Sequence, residues 1–348
     1  MTSGSSTLQR KGINYDIGTY TRVKETSSRD VLDPAIVQRE MTIIKNDLHC
    51  TAVRISGQDI TRLSLAAEYA LQAGLEVWLS PAYIDATEEE TLAYFTACAK
   101  AAETLRLQSP HVIFVMGCEL SFFMHGLIAG ETSFDRIQTM MKPWRLLLST
   151  LRRGSFHKRL NAFLARAASA VREHFHGQLT YASGSWEEVN WEPFDLVGID
   201  YYREKFNKRF YREKLRKYFA HGKPVVVLEF GSCTYQGAGD KGGYGWAIVD
   251  RQATPPQLKG NVVRDEDEQV TYMRDLLDIF ADEGVSGAFW FTFVMATYPF
   301  HDDPLFNLDT ASYSVVKSFT DQRGTTYPDM PWETKKSFHA LADYYGKL

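Results

Sequence analysis

The stretch HVIFVMGCE, residues 111–119, sets five apolar residues in a row, Val112 to Met116, and ends on a carboxylate, Glu119. An apolar run this short, rich in β-branched and aromatic side chains and closed by small and polar residues, reads as a strand buried on both faces. Strands of that kind belong to parallel sheets covered by helices. The same pattern recurs along the chain. KGINYDIG (11–18), CTAVRISG (50–57) and EVWLSPAY (76–83) precede it, and LTYASGSW (179–186), LVGIDYY (196–202), PVVVLEFG (224–231) and GAFWFTF (287–293) follow, which makes eight runs.

Between the runs lie segments of helical period with explicit start and stop signals. Asp33-Pro34 precedes AIVQREMTIIKNDL, and Asp59 precedes ITRLSLAAEYALQAG, with Gly74 as the stop. Further helices are predicted over 87–107, 158–175, 204–220, 265–283 and 332–345. Eight strands alternating with helices predict an α/β fold, a single (β/α)8 TIM barrel over residues 11–348, with residues 1–10 as a flexible N-terminus. The fifth and sixth runs begin only 17 residues apart, so EEVNWEPF has room for no more than a helical turn. Long insertions, of about 60 residues each, are expected after strands four and seven.

A chain of 348 residues supplies a core large enough to need no covalent staples. The four cysteines, Cys50, Cys98, Cys118 and Cys233, form no CxxC pair and fit a reducing cytoplasm better than a disulfide scaffold. The polar start, MTSGSSTLQRKG, has no apolar signal core, and no window has the ~18 apolar residues of a membrane span, so a cytoplasmic protein is expected. The net charge of -4 gives no global attraction to nucleic acid or to an anionic membrane, and neither is expected as a partner. Aromatic residues make up 13 % of the chain, and Trp and Tyr rings are the flat surfaces on which sugars and bases stack.

In such a barrel the active site lies at the carboxyl ends of the strands, which singles out Asn14, Asp16, Arg54, Tyr83, Glu119, Trp186, Tyr201, Tyr202, Glu229 and Trp290. Glu119 ends the fourth run and Glu229 the seventh. Two carboxyl groups about 5 to 5.5 Å apart suit glycoside cleavage with retention, one protonating the leaving oxygen and the other attacking the anomeric carbon.

At these residues the sequence resembles the clan A glycoside hydrolases, retaining (β/α)8 barrels. The resemblance implies that Glu119, in GCEL, is the acid/base and Glu229, in VVLEFG, the nucleophile. It implies that Arg54, in AVRIS, supports the nucleophile, that Tyr201 or Tyr202, in VGIDYY, stands beside it, and that Trp290, in GAFWFTF, floors the sugar subsite. Many clan members carry asparagine before the acid/base, where it binds the sugar 2-hydroxyl; this chain has Cys118, so either another polar group, such as Asn14 or Asp16, serves that hydroxyl, or the substrate differs there, or the site has lost glycosidase chemistry. KGINYDIG, DLHCTAVRIS and GLEVWLSP also resemble bacterial proteins labelled abortive phage infection proteins.

The expected function is therefore a retaining O-glycosidase acting on a small carbohydrate or glycoside, with no metal and no organic cofactor implied. The alternative is a non-catalytic barrel that binds a sugar, a nucleotide-derived signal or a protein partner, in phage defence. Other motifs carry less. YQGAGDKGGYGW (235–246) lacks the order of a phosphate loop and reads as a loop whose aromatics could fold over a ligand. HFH (174–176) has a metal-site spacing but precedes the fifth strand, at the wrong end of the barrel. REKFNKRFYREKLRKYFAHGK (203–223), with nine basic residues against two acidic, reads as a helix with a solvated basic face, and RLLLSTLRRGSFHKRL (145–160) as an amphipathic surface.

Overall fold

Each of the eight runs contains a strand in the computed structural model, which describes residues 8–21 and 24–348. The strands are β1 (Arg10–Asp16), β2 (Ala52–Gly57), β3 (Glu76–Pro81), β4 (Val112–Cys118), β5 (Gln178–Gly184), β6 (Val197–Asp200), β7 (Val225–Phe230) and β8 (Gly287–Trp290). They close into a parallel barrel in the order β1-β8-β7-β6-β5-β4-β3-β2, each beside its neighbours in sequence. Continuous apolar runs such as Val225 to Leu228 are required because both strand faces are covered, and all four residues are buried.

Helices begin where the sequence supplies caps. α1 (Pro34–Asn46) opens on proline, whose missing N–H is no loss in a first turn, and buries Val37, Met41 and Ile44 along one stripe. The Asp59 side chain accepts the Arg62 N–H to start α2 (Ile60–Gln72). Thr87 and Glu90 form a reciprocal capping box on α3 (Glu88–Gln108), whose first turn holds three glutamates against the positive end of the helix dipole. The β4–β5 link holds α4 (Ser133–Met140), α5 (Pro143–Arg153) and α6 (Phe156–Arg172). Beyond β6 come α7 (Tyr211–Arg216), α8 (Glu266–Glu283) and α9 (Lys336–Lys347). Asp265 caps α8 by accepting the N–H groups of Asp267 and Glu268.

The segment expected as one helix over 204–220 is instead three short pieces, 3-10 turns at Lys208–Phe210 and Lys217–His221 flanking α7. Only Tyr211 and Leu215 of these pieces are buried, one helical turn apart, so no long apolar stripe exists to hold a longer helix. The β5–β6 link has no helix, as its length required. Buried Trp191 and Phe194 pack edge to face there, with ring centroids 5.7 Å apart. The loop after β7 is ordered by Tyr235, buried, which donates its hydroxyl hydrogen to the Gly245 carbonyl at 3.0 Å.

Of the N-terminal segment expected to be flexible, residues 1–7 lie outside the described residues. Leu8 is buried and Arg10 opens β1. All four cysteines are free, and no described helix is long and apolar enough to cross a membrane.

The chain gathers into two compact units, one of residues 17–34 and 54–200, the other of 35–53 and 201–348 together with the segment ending at Asp16. Each has a buried ion pair in its frame. In the first, Arg136 pairs with Asp85 and also donates to the Phe122 carbonyl. In the second, buried Asp309 binds Lys335 at 2.8 Å and Arg264 at 2.6 Å.

Candidate active site

In the unit built from 54–200, β4 ends on Gly117-Cys118-Glu119. Gly117 has φ 83°, and a Cβ there would meet the Phe95 ring at 2.9 Å, so glycine is required. Glu119 itself has φ 42° and ψ 48°, a left-handed conformation uncommon for a residue with a long side chain. Its N–H donates to the Ala182 carbonyl at 2.8 Å, and its own carbonyl accepts from the N–H groups of Phe122 and Phe123, opening a single helical turn, Leu120–Phe123.

That turn is gripped from behind. The buried Glu187 carboxylate accepts the Ser121 N–H at 3.0 Å, the Gly184 N–H at 3.2 Å and the Tyr181 hydroxyl at 2.8 Å, and the Tyr181 oxygen accepts the Leu120 N–H at 2.7 Å. Burial pushes the Glu187 carboxyl up, and these donors oppose it. Trp186, partly exposed, donates its ring N–H to Ser121 Oγ at 3.0 Å and stacks on Phe122 with centroids 4.4 Å apart. Tyr181→Phe takes the acceptor from the Leu120 N–H and a donor from Glu187. It is expected to cost about 1–3 kcal/mol, read as a lower denaturation midpoint. An unchanged midpoint would show that the turn is not held from this side.

Arg54, of the expected site, and Cys118 meet at Asp200 in the same unit. Arg54 is buried; its Nε donates to Ser80 Oγ at 3.1 Å and its Nη1 lies 3.6 Å from Asp200 Oδ1. Cys118 Sγ donates to Asp200 Oδ2 at 3.3 Å. Asp200, buried at the end of β6, is a charge closing an apolar run, the same signal that singles out Glu119 and Glu229, and it stands beside the phenols expected in VGIDYY. Within its unit Arg54 thus serves Asp200 and Ser80. Tyr83 is partly exposed, its ring 5.1 Å from that of Tyr94. In the HFH segment Phe175 is buried and His176 is exposed: His176 Nδ1 lies 3.2 Å from Glu103 Oε1, and the Arg106 hydrogen bonds hold the Glu103 carboxyl down at about 2.

In the other unit, Glu229 stands partly exposed near the end of β7, and Tyr202 donates its hydroxyl hydrogen to Glu229 Oε2 at 3.2 Å. Of the two tyrosines only Tyr202 has this role. Tyr201 gives its backbone N–H to the Glu229 carbonyl at 2.8 Å, and its ring is buried, its hydroxyl donating to the Tyr211 carbonyl.

Trp290 is not an open sugar platform. It is 0 % exposed, its ring N–H donates to the Tyr313 carbonyl at 3.0 Å, and Phe230 packs edge-on against it at 5.3 Å. Phe291, the next residue, is partly exposed. Asn14 is likewise committed inward: its amide donates to the Leu228 carbonyl at 2.9 Å, and the Trp290 and Phe289 carbonyls lie at 3.3 and 3.4 Å. Asp16, closing β1, is partly exposed.

No family model matches the chain, and no curated protein matches its sequence. Solved structures do match in fold. A GH113 β-1,4-mannanase superposes with a TM-score of 0.63 at 14 % identity, over 98 % of this chain and 100 % of its own. The GH113 β-mannanase of Alicyclobacillus acidocaldarius gives 0.61 at 14 % identity, over 99 % of each chain. A cellobiose complex of a mutant Thermotoga maritima Cel5A gives 0.51 at 13 % identity, over 87 % of this chain and 96 % of its own. What these proteins share with the chain is the barrel.

Proposed function

We propose that the chain is a retaining glycoside hydrolase with Glu229 as nucleophile and Glu119 as acid/base. The observation that carries this reading is the Tyr202 hydroxyl on the Glu229 carboxylate at the carboxyl end of β7. A phenol donating to a carboxylate fixes its direction, which a nucleophile requires. Glu119 follows β4 as Glu229 lies near the end of β7, each at the carboxyl end of a strand of the parallel barrel.

In the first step Glu229 Oε attacks the anomeric carbon as the bond to the leaving oxygen breaks, and Glu119 delivers its proton to that oxygen. The product is a glycosyl ester on Glu229 and a free aglycone. In the second, Glu119, now a carboxylate, takes a proton from water as the water oxygen displaces Glu229, which releases the sugar with its original anomeric configuration and restores both groups.

The test is turnover of a panel of aryl glycosides, begun with β-mannosides and β-glucosides because two of the fold neighbours are described as β-mannanases and a third as a cellobiose complex. Absence of turnover across α and β series overturns the reading. Tyr202→Phe is expected to lower kcat/KM about 10- to 100-fold, the scale of a hydrogen bond to a charged group. An unchanged value would remove Tyr202 from the machinery.

One observation favours a second reading, a non-catalytic barrel that binds a sugar. The Cys118 thiol is turned to Asp200 and is a weak partner for a hydroxyl. Binding of a glycan without turnover would select it.

A further inference from the structure

Helix α5 turns its large apolar side chains away from the protein. Trp144, Leu147, Leu148 and Leu151 are 59, 59, 42 and 73 % exposed. Their spacing of i, i+3, i+4 and i+7 puts all four on one stripe. The helix docks by a different side: Ser149 is 5 % exposed and accepts the Ala129 N–H on its hydroxyl at 3.0 Å, and Leu146 is partly buried. At about 100° per residue, Ser149 points roughly 150° from the centre of the apolar stripe. An ordinary surface helix has the reverse arrangement.

Charge accompanies the stripe. Residues 142–153 include Lys142, Arg145, Arg152 and Arg153 and no acidic residue, in a chain whose net charge is -4. All four cations are exposed, and among the described residues none is held in an ion pair. The Arg145 guanidinium lies 5.2 Å from the Trp144 ring centroid, at the border of the stripe. Phe134 and Met141, in and just after α4, are also exposed.

We propose that α5 is an interfacial anchor that lays its Trp-Leu face into the headgroup layer of an anionic phospholipid bilayer. Its 11 residues are about 16 Å long, too short to cross and suited to lying flat. Tryptophan and leucine on one face with Arg145 and Arg152 flanking it are the composition of helices that lie in the interface. The cations select the partner. A neutral bilayer would take the leucines but give the arginines no counter-charge, and nucleic acid would do the opposite. The net negative charge of the chain gives no such attraction, so the contact rests on this local face.

The test is co-flotation of the full chain with vesicles of phosphatidylcholine alone or with about 30 % phosphatidylglycerol, at about 0.1 M salt. The wild type is expected to float with the anionic vesicles at least about 10-fold more than with the neutral ones. Arg145→Glu/Arg152→Glu is expected to lower partitioning about 25-fold or more, counting a factor of about 5 for each cation lost. Leu147→Glu/Leu151→Glu is expected to abolish it. Both variants change exposed positions, and an unchanged thermal midpoint verifies their fold. Equal flotation with both vesicle types, no flotation, or variants that float like the wild type would overturn the proposal. So would a dimer of the wild type that Leu147→Glu/Leu151→Glu dissolves, because the face would then belong to a second copy.

Discussion

Glu229→Ala is expected to lower kcat on an activated aryl glycoside by at least about 10³-fold, the scale on which a covalent nucleophile acts. The side chain is partly exposed, so its truncation opens space toward solvent and not a cavity in the core. Azide fits that space and attacks the anomeric carbon directly. It is expected to restore turnover and to give a glycosyl azide of inverted configuration, since only one displacement then occurs. The two readouts separate the roles of the residue. Retention of wild-type turnover would remove Glu229 from the chemistry, and a loss that azide does not rescue would sink its assignment as nucleophile.

Arg54→Met is expected to cost about 3–5 kcal/mol of folding stability, because it leaves the Asp200 carboxylate buried without its guanidinium. Both side chains are at most 1 % exposed, so water cannot take the place of the missing partner. The Cys118 thiol would still donate to Asp200, but a weak neutral donor does not offset a lost cation. Removing both charges has the opposite logic. Arg54→Met/Asp200→Leu is expected to regain most of the stability, because the cost of a broken buried pair lies in the charge left behind. A double variant no more stable than Arg54→Met would show that packing around the guanidinium stem, and not the ion pair, sets the cost. Arg54→Lys restores charge but not the second donor direction, and falls between.

The barrel is legible in the sequence because its strands are covered on both faces. Runs such as VVVL in β7 can then be uninterrupted, and helix caps such as Asp59 and Thr87 mark the returns. The stretch over 204–220 misled because its basic residues and aromatics follow helical spacing, whereas burial comes only at Tyr211 and Leu215. At the candidate site, a carboxylate closing an apolar run is the signal that singles out Glu119 and Glu229, and it applies to Asp200 as well. What the residues alone could not give was direction. Tyr201 and Tyr202, or Trp290 and Phe291, are sequence neighbours where a strand runs out, and which of each pair is buried is a property of the fold. Nor does local sequence show that Arg54 meets Asp200, since the two are brought together only by the path of the chain. The apolar stripe of α5 is equally plain in the sequence, but its outward direction is a property of the fold.

Glu119 has its own consequence, in terms of what selection for stability alone would choose. At φ 42° a glycine or asparagine would sit with less strain, and a glutamate is held there at a cost of order 1 kcal/mol. A chain optimised only to stay folded would have released that cost by a single substitution. A long carboxylate at a left-handed position is what the proposed role of Glu119 asks of the chain, in which the side chain and not the backbone is the reason for the residue.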